Sequence, residues 1–159
     1  MNRRAFLACA PAVALAGCFY RLGLAERVVV LEKSIEGVEV DIETGERRTV
    51  TLLTRRDGLE GPTYETVHED LEETVADGEP LVLGGDLRQE LESTYPEIRL
   101  RARVCDSVPI DEPDAVSGCR SVSIVSEDFD EVRVGDVIDV RESDDGIGLL
   151  EVHQRREDR

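Results

Sequence analysis

Tryptophan is absent from this chain, and three Phe and three Tyr are its only aromatic residues. So few rings exclude the stacking platforms that hold sugars or single-stranded nucleic acid. An excess of basic charge is missing too. The 36 acidic side chains outnumber the 19 basic ones, giving a formal charge of −17. A field of that sign repels phosphate backbones, so nucleic acid is not an expected partner. Two histidines leave little room for a multi-histidine metal site. The uncharged apolar stretch Ala5–Gly17 is also short. As a helix it would cover about 20 Å, against the ~30 Å of a hydrocarbon core. What remains is ample for folding: 159 residues, 40% of them hydrophobic, fit one domain with a core, or one domain plus an anchor.

The first twenty residues carry the most specific signal. Arg3 and Arg4 directly precede the apolar stretch, with Ala5, Phe6 and Leu7 following, and Leu15-Ala16-Gly17-Cys18 closes it. A basic flank, a short apolar run and small residues at its end read as a signal peptide. Arg3-Arg4-Ala5-Phe6-Leu7 resembles the twin-arginine export motif, with Asn2 where Ser or Thr is usual and Ala8 where Lys is common. Leu15–Cys18 resembles a lipobox, in which a peptidase cuts before the cysteine and a lipid is attached to its sulfur. That chemistry needs small side chains at Ala16 and Gly17 and a thiol at Cys18. The resemblance implies a lipoprotein exported folded and held at the outer face of the membrane by a lipid on Cys18. The rival reading is an uncleaved apolar helix with a chance cysteine. Residues 1–17 would be the signal peptide and 18–26 the lipidated anchor and spacer. Residues 27–153 would form a single α+β domain, and 154–159 a charged tail. The mature chain would hold 17 basic against 36 acidic groups, a charge of −19.

Lysine is used once, at Lys33, beside 18 arginines. With the acid excess this composition resembles that of proteins from extreme halophiles. At molar salt the Debye length falls to about 3 Å, so such a charge scarcely repels itself. An acidic surface for a basic partner is the alternative, but the acids are spread from Glu26 to Asp158 without a dominant block.

If Cys9 leaves with the signal and Cys18 takes the lipid, Cys105 and Cys119 remain as an even pair. Outside the membrane an oxidised bridge is the expectation. Two free buried thiols and a metal pair are its rivals. The metal would need two further ligands, and His68 and His153 lack motif spacing.

Along the domain, alternation and turn residues predict a sheet with two short helices. Val28–Leu31 reads as a buried strand. Val38, Val40 and Ile42 alternate with acids, Glu43–Glu46 supply a turn, and Arg47–Thr54 return. A helix is expected from Pro62 to about Ala76, because Val67, Leu71 and Val75 recur every four residues. Leu81–Leu83 reads as a short strand or packed link. Asp86 and Gln89 resemble a capping box for a second helix, which stops before Pro96. Ile98, Leu100, Ala102 and Val104 face one way, and Arg99, Arg101 and Arg103 the other. Arg120–Ser126, Phe129–Val140 around a Gly135-Asp136 turn, and Gly148–His153 after Asp144-Asp145-Gly146 complete the strands. The fold class is therefore α+β, mainly an antiparallel sheet or a small β-barrel.

Functional constellations are sparse. Arg99, Arg101 and Arg103 could form an anion-binding stripe, or pair across a strand with acids such as Glu39, Asp41 and Glu43. His68 and Glu72 sit a turn apart but lack the second histidine of a zincin. The acidic groups Asp111-Glu112-Asp114, Glu127-Asp128-Asp130 and Asp144-Asp145 lack EF-hand spacing. Ser117 lacks a nucleophile elbow. Gly84-Gly85-Asp86 reads as a turn before a helix. No catalytic residue, metal or cofactor is expected. The sequence points to a noncatalytic binding or structural envelope component, with the membrane and an envelope protein as partners. A hydrolase-like enzyme with an unrecognised carboxylate site, or a cation- or small-ligand-binding module, are the alternatives.

Overall fold

The computed structural model describes residues 25–58, 60–75, 78–106 and 118–158. Arg3, Arg4, Phe6, Leu7, Cys18, the Asp111–Asp114 cluster and Ser117 lie outside them. In chain order the elements are β1 (Glu26–Val40), β2 (Arg47–Gly58), β3 (Gly61–Val67) and a 3-10 turn at Glu69–Leu71. Helix α1 (Gly85–Thr94), β4 (Glu97–Asp106), β5 (Arg120–Ser123) and helix α2 (Ser126–Glu131) follow. The chain ends with β6 (Val137–Ser143), β7 (Gly146–Gln154) and a 3-10 turn at Arg156–Asp158.

β1 is rich in Val and Ile, the branched residues that suit a pleated surface, and its fifteen residues are the spine of the sheet. One edge pairs antiparallel with β4, from Val28 opposite Asp106 to Val38 opposite Glu97. The other edge is shared. Glu26–Val29 face β6, and Glu32–Val40 face β2. The handover falls at Val30, whose amide donates to the Asp136 carbonyl (2.9 Å) and whose carbonyl accepts from Gly135 N–H (2.6 Å). Register slips beside it, between Val30 and Glu32 and between Ile35 and Glu36, are bulges that bend and twist the strand. One strand can thus serve two neighbours on the same edge.

β3 pairs with β2, β5 with β4, and β7 with β6, all antiparallel. The end of β5 approaches β7 at a parallel bridge, Ile124–Ile147. The sheet is otherwise open, so the α+β fold takes the antiparallel-sheet form rather than a closed barrel. The core holds Val30, Ile35, Leu53, Phe129 and Ile138, each at most 1% exposed. Full burial of such side chains stabilises by about 1.5–3 kcal/mol each. Cys105 and Cys119 are joined in a disulfide across fourteen positions. A loop of that size gives roughly 3 kcal/mol in the chain-entropy picture.

The helix expected over Pro62–Ala76 does not form. Thr63, Tyr64, Thr66 and Val67 are β-branched or aromatic and pair along β2, with Tyr64 opposite Arg55. That pairing outweighs the four-residue recurrence, although Leu71 still reaches the core. The turn after β1 begins earlier than the alternation suggests. Asp41 Oδ1 accepts from the Glu43 and Thr44 amides (2.9 and 2.8 Å), which holds its carboxyl below the usual range, and Ile42 is 99% exposed. Helix α1 starts at Gly85 with Gly84 as cap and no side-chain cap bond, so Asp86 lies inside the first turn. Phe129–Glu131 belong to α2, not to a strand, because Phe129 is turned fully into the core. Leu81–Leu83 form a link without strand pairing, with Leu81 and Leu83 buried and Val82 exposed. The charged end is docked: Arg155 donates to Asp136 Oδ2 (2.6 Å) and to the Glu131 carbonyl (2.9 Å).

Candidate functional site

Three side chains in one row across the sheet fasten the link that follows residue 77. Lys33 on β1 lies directly opposite Arg55 on β2, and Arg55 directly opposite Tyr64 on β3. Lys33 donates to the Leu81 carbonyl (2.6 Å), Arg55 Nη2 to the Gly78 carbonyl (3.2 Å), and Tyr64 Oη to the Glu79 carbonyl (3.2 Å). Asp130 Oδ1 then accepts the Leu83 amide (2.5 Å). The link has no ladder of its own, so side chains satisfy backbone groups that a sheet would otherwise pair.

Lys33 is 2% exposed. Its Nζ also reaches the carbonyls of Phe129 (2.5 Å) and Val132 (2.7 Å) and stands 4.0 Å from the Phe129 ring centroid. These carbonyls close α2, where peptide acceptors lack helical partners and a cation is favoured. Three N–H donors of an ammonium meet three carbonyls. Burial draws the Lys33 pKa down to about 7, while Asp130 and Asp136 hold it up and Arg55 and Arg133 press it down. A lysine near 7 invites a nucleophilic role, but this amine is sealed from solvent and held against the carbonyls that close α2.

Arg55 is 6% exposed and its guanidinium lies 4.8 Å from the Tyr64 ring centroid. Its Nη1 is buried without an acceptor. Beside it opens a cavity of about 230 Å³, walled by Lys33, Arg55, Leu81, Arg133, Asp136 and Arg156 among others. Asp136, 1% exposed, organises the far wall: Oδ2 accepts from Arg133 N–H (3.0 Å) and Arg155, and Oδ1 from Arg156 N–H (3.2 Å). The wall thus presents fixed cations inside a strongly acidic chain.

The residues singled out from sequence are placed elsewhere. Arg99, Arg101 and Arg103 share one face of β4, opposite Glu36, Ser34 and Glu32 rather than Glu39, Asp41 and Glu43. Arg99 donates to Glu97 (2.7 Å) and Arg101 to Ser123 (3.1 Å). Glu39 pairs instead with Arg48 on β2 (2.6 Å). His68 lies 3.4 Å from Asp70, not against Glu72. Asp128 and Asp130 accept backbone amides of Leu149 and Leu83. Among the described residues no three His, Cys, Asp or Glu side chains converge as a metal site, and no helix is long and apolar enough to cross a membrane. No motif in the sequence marks the cavity. Its only trace in the sequence is the solitary lysine among arginines.

Comparison with protein-family models gives no match, and neither do comparisons with curated proteins and with solved structures.

Proposed function

We propose that this protein is an exported envelope component, tethered by a lipid on Cys18 to the outer face of the membrane in a salty medium, where it binds or supports another component without catalysis. The leader Arg3-Arg4-Ala5-Phe6-Leu7 and the Leu15–Cys18 box supply the address. The observation that carries the reading beyond them is the Cys105–Cys119 disulfide, since such bonds persist outside the reducing cytosol. The acid excess supports a high-salt exterior, where it is screened. Two lipid chains suffice for stable attachment.

Intact mass of the membrane-extracted chain tests this. The expected species begins at Cys18, carries a lipid and lacks two hydrogens for the bridge. An unmodified chain beginning at Met1, with free thiols in the cytosolic fraction, would overturn it.

A further inference from the structure

Around the cavity, charges are balanced unequally. Arg133 meets Glu157 (3.1 Å) and Arg156 meets Asp57 (2.8 Å). Lys33 spends its donors on three carbonyls, and Asp136 is held by Arg155 and two amides. Arg55 differs. Among the described residues it has no carboxylate partner, only one carbonyl and one ring, and its Nη1 has no acceptor although the residue is 6% exposed. A buried charge without counter-charge is costly unless something compensates it.

We infer that the cavity binds a small monocarboxylate, its oxygens on Arg55 and its short apolar body over Pro62, Pro80, Leu81 and Val134. The planar guanidinium fork suits a carboxylate, and the Tyr64 ring fixes its plane. One uncompensated cation matches one negative charge. A dianion would add surplus charge beside Asp136 and Glu157, which also line the space. At about 30 Å³ per water, 230 Å³ equals roughly eight waters, which sets a small ligand. Nη1 is covered from bulk water, so an arriving oxygen displaces part of the wall. Residues 78–81, outside any helix or strand, form part of that wall, and an arriving oxygen competes there with the bonds from Lys33, Arg55 and Tyr64 that hold them. The inference concerns a site rather than an address and holds whatever Cys18 carries.

Calorimetric titration of the full chain at constant ionic strength, with butyrate, inorganic phosphate and chloride as probes, tests it. Butyrate is expected to bind saturably at one site and more tightly than phosphate or chloride. Arg55→Gln is expected to weaken it about tenfold or more, as loss of a charged hydrogen bond implies, and exposed Arg48→Gln to leave it unchanged. Methyl NMR of the unaltered chain gives a second reading that needs no variant: butyrate should shift Leu81 and Val134 and spare exposed Ile42. Absent or non-saturable butyrate binding, equal affinity in Arg55→Gln, tighter phosphate or chloride binding, or shifts away from Leu81 and Val134 would each overturn the inference.

Discussion

Lys33 and Arg55 face each other directly across β1 and β2, both nearly sealed from water. Like charges in that relation repel. The repulsion is offset on the Lys33 side by three carbonyls, and on the Arg55 side by one carbonyl and the Tyr64 ring.

Lys33→Met should therefore destabilise the fold, because three buried carbonyls lose their donor. Orphaned acceptors cost about 1–3 kcal/mol each, and relief of the buried charge returns part of that. A net loss of about 2 kcal/mol in urea unfolding is expected. An unchanged midpoint would contradict the capping role.

The same lysine should give a proton-uptake signature. Its folded pKa, about 7, lies below its ordinary 10.5, so between these values the unfolded chain binds more protons than the folded one. Its contribution to stability is smallest below pH 7 and rises with pH across that window. Calorimetric unfolding near pH 9, in buffers of differing ionisation enthalpy, should show about one proton more taken up than in Lys33→Met. Equal uptake would sink this assignment.

Asp136→Asn keeps the shape but removes the charge that holds Arg155 and sits at the β1 handover. Asp136 is buried but 30% of the Arg155 side chain is exposed, so loss of this charged bond costs about 1.5–3 kcal/mol. Amide exchange should speed at residues 154–156 before elsewhere. Unaltered protection there would show that Asp136 does not dock the chain end.

Gly146 has φ +136°, and a Cβ there would collide with the Ser123 carbonyl oxygen, where β5 meets β7. Gly146→Ala should lower stability by more than about 1 kcal/mol and weaken exchange protection around Ile124 and Ile147. Wild-type stability in that variant would mean the two strands are not in close approach.

Much of this sheet is legible in sequence because its patterns are local. The alternation from Ile98 to Val104 is realised in β4, with Ala102 and Val104 buried and Arg99 and Arg103 exposed. The 137–154 hairpin turns at Asp144-Asp145-Gly146 as its residues imply. β3 is not legible, since the recurrence of Val67, Leu71 and Val75 that begins at its last residue mimics a helix and only the edge of β2 decides otherwise. The cavity is hidden for the same kind of reason. Lys33 is buried by carbonyls 48, 96 and 99 positions further on, and nothing next to it in sequence announces them.

Cell fractionation of wild type and Cys18→Ser, with the mass of each recovered chain, tests the proposed tether most directly. Wild type should be found with membranes as a lipid-bearing chain beginning at Cys18. The Cys18→Ser protein should lack the lipid and accumulate as uncut precursor or in the medium. A Cys18→Ser protein cut at the same position and as firmly attached as wild type would contradict the account.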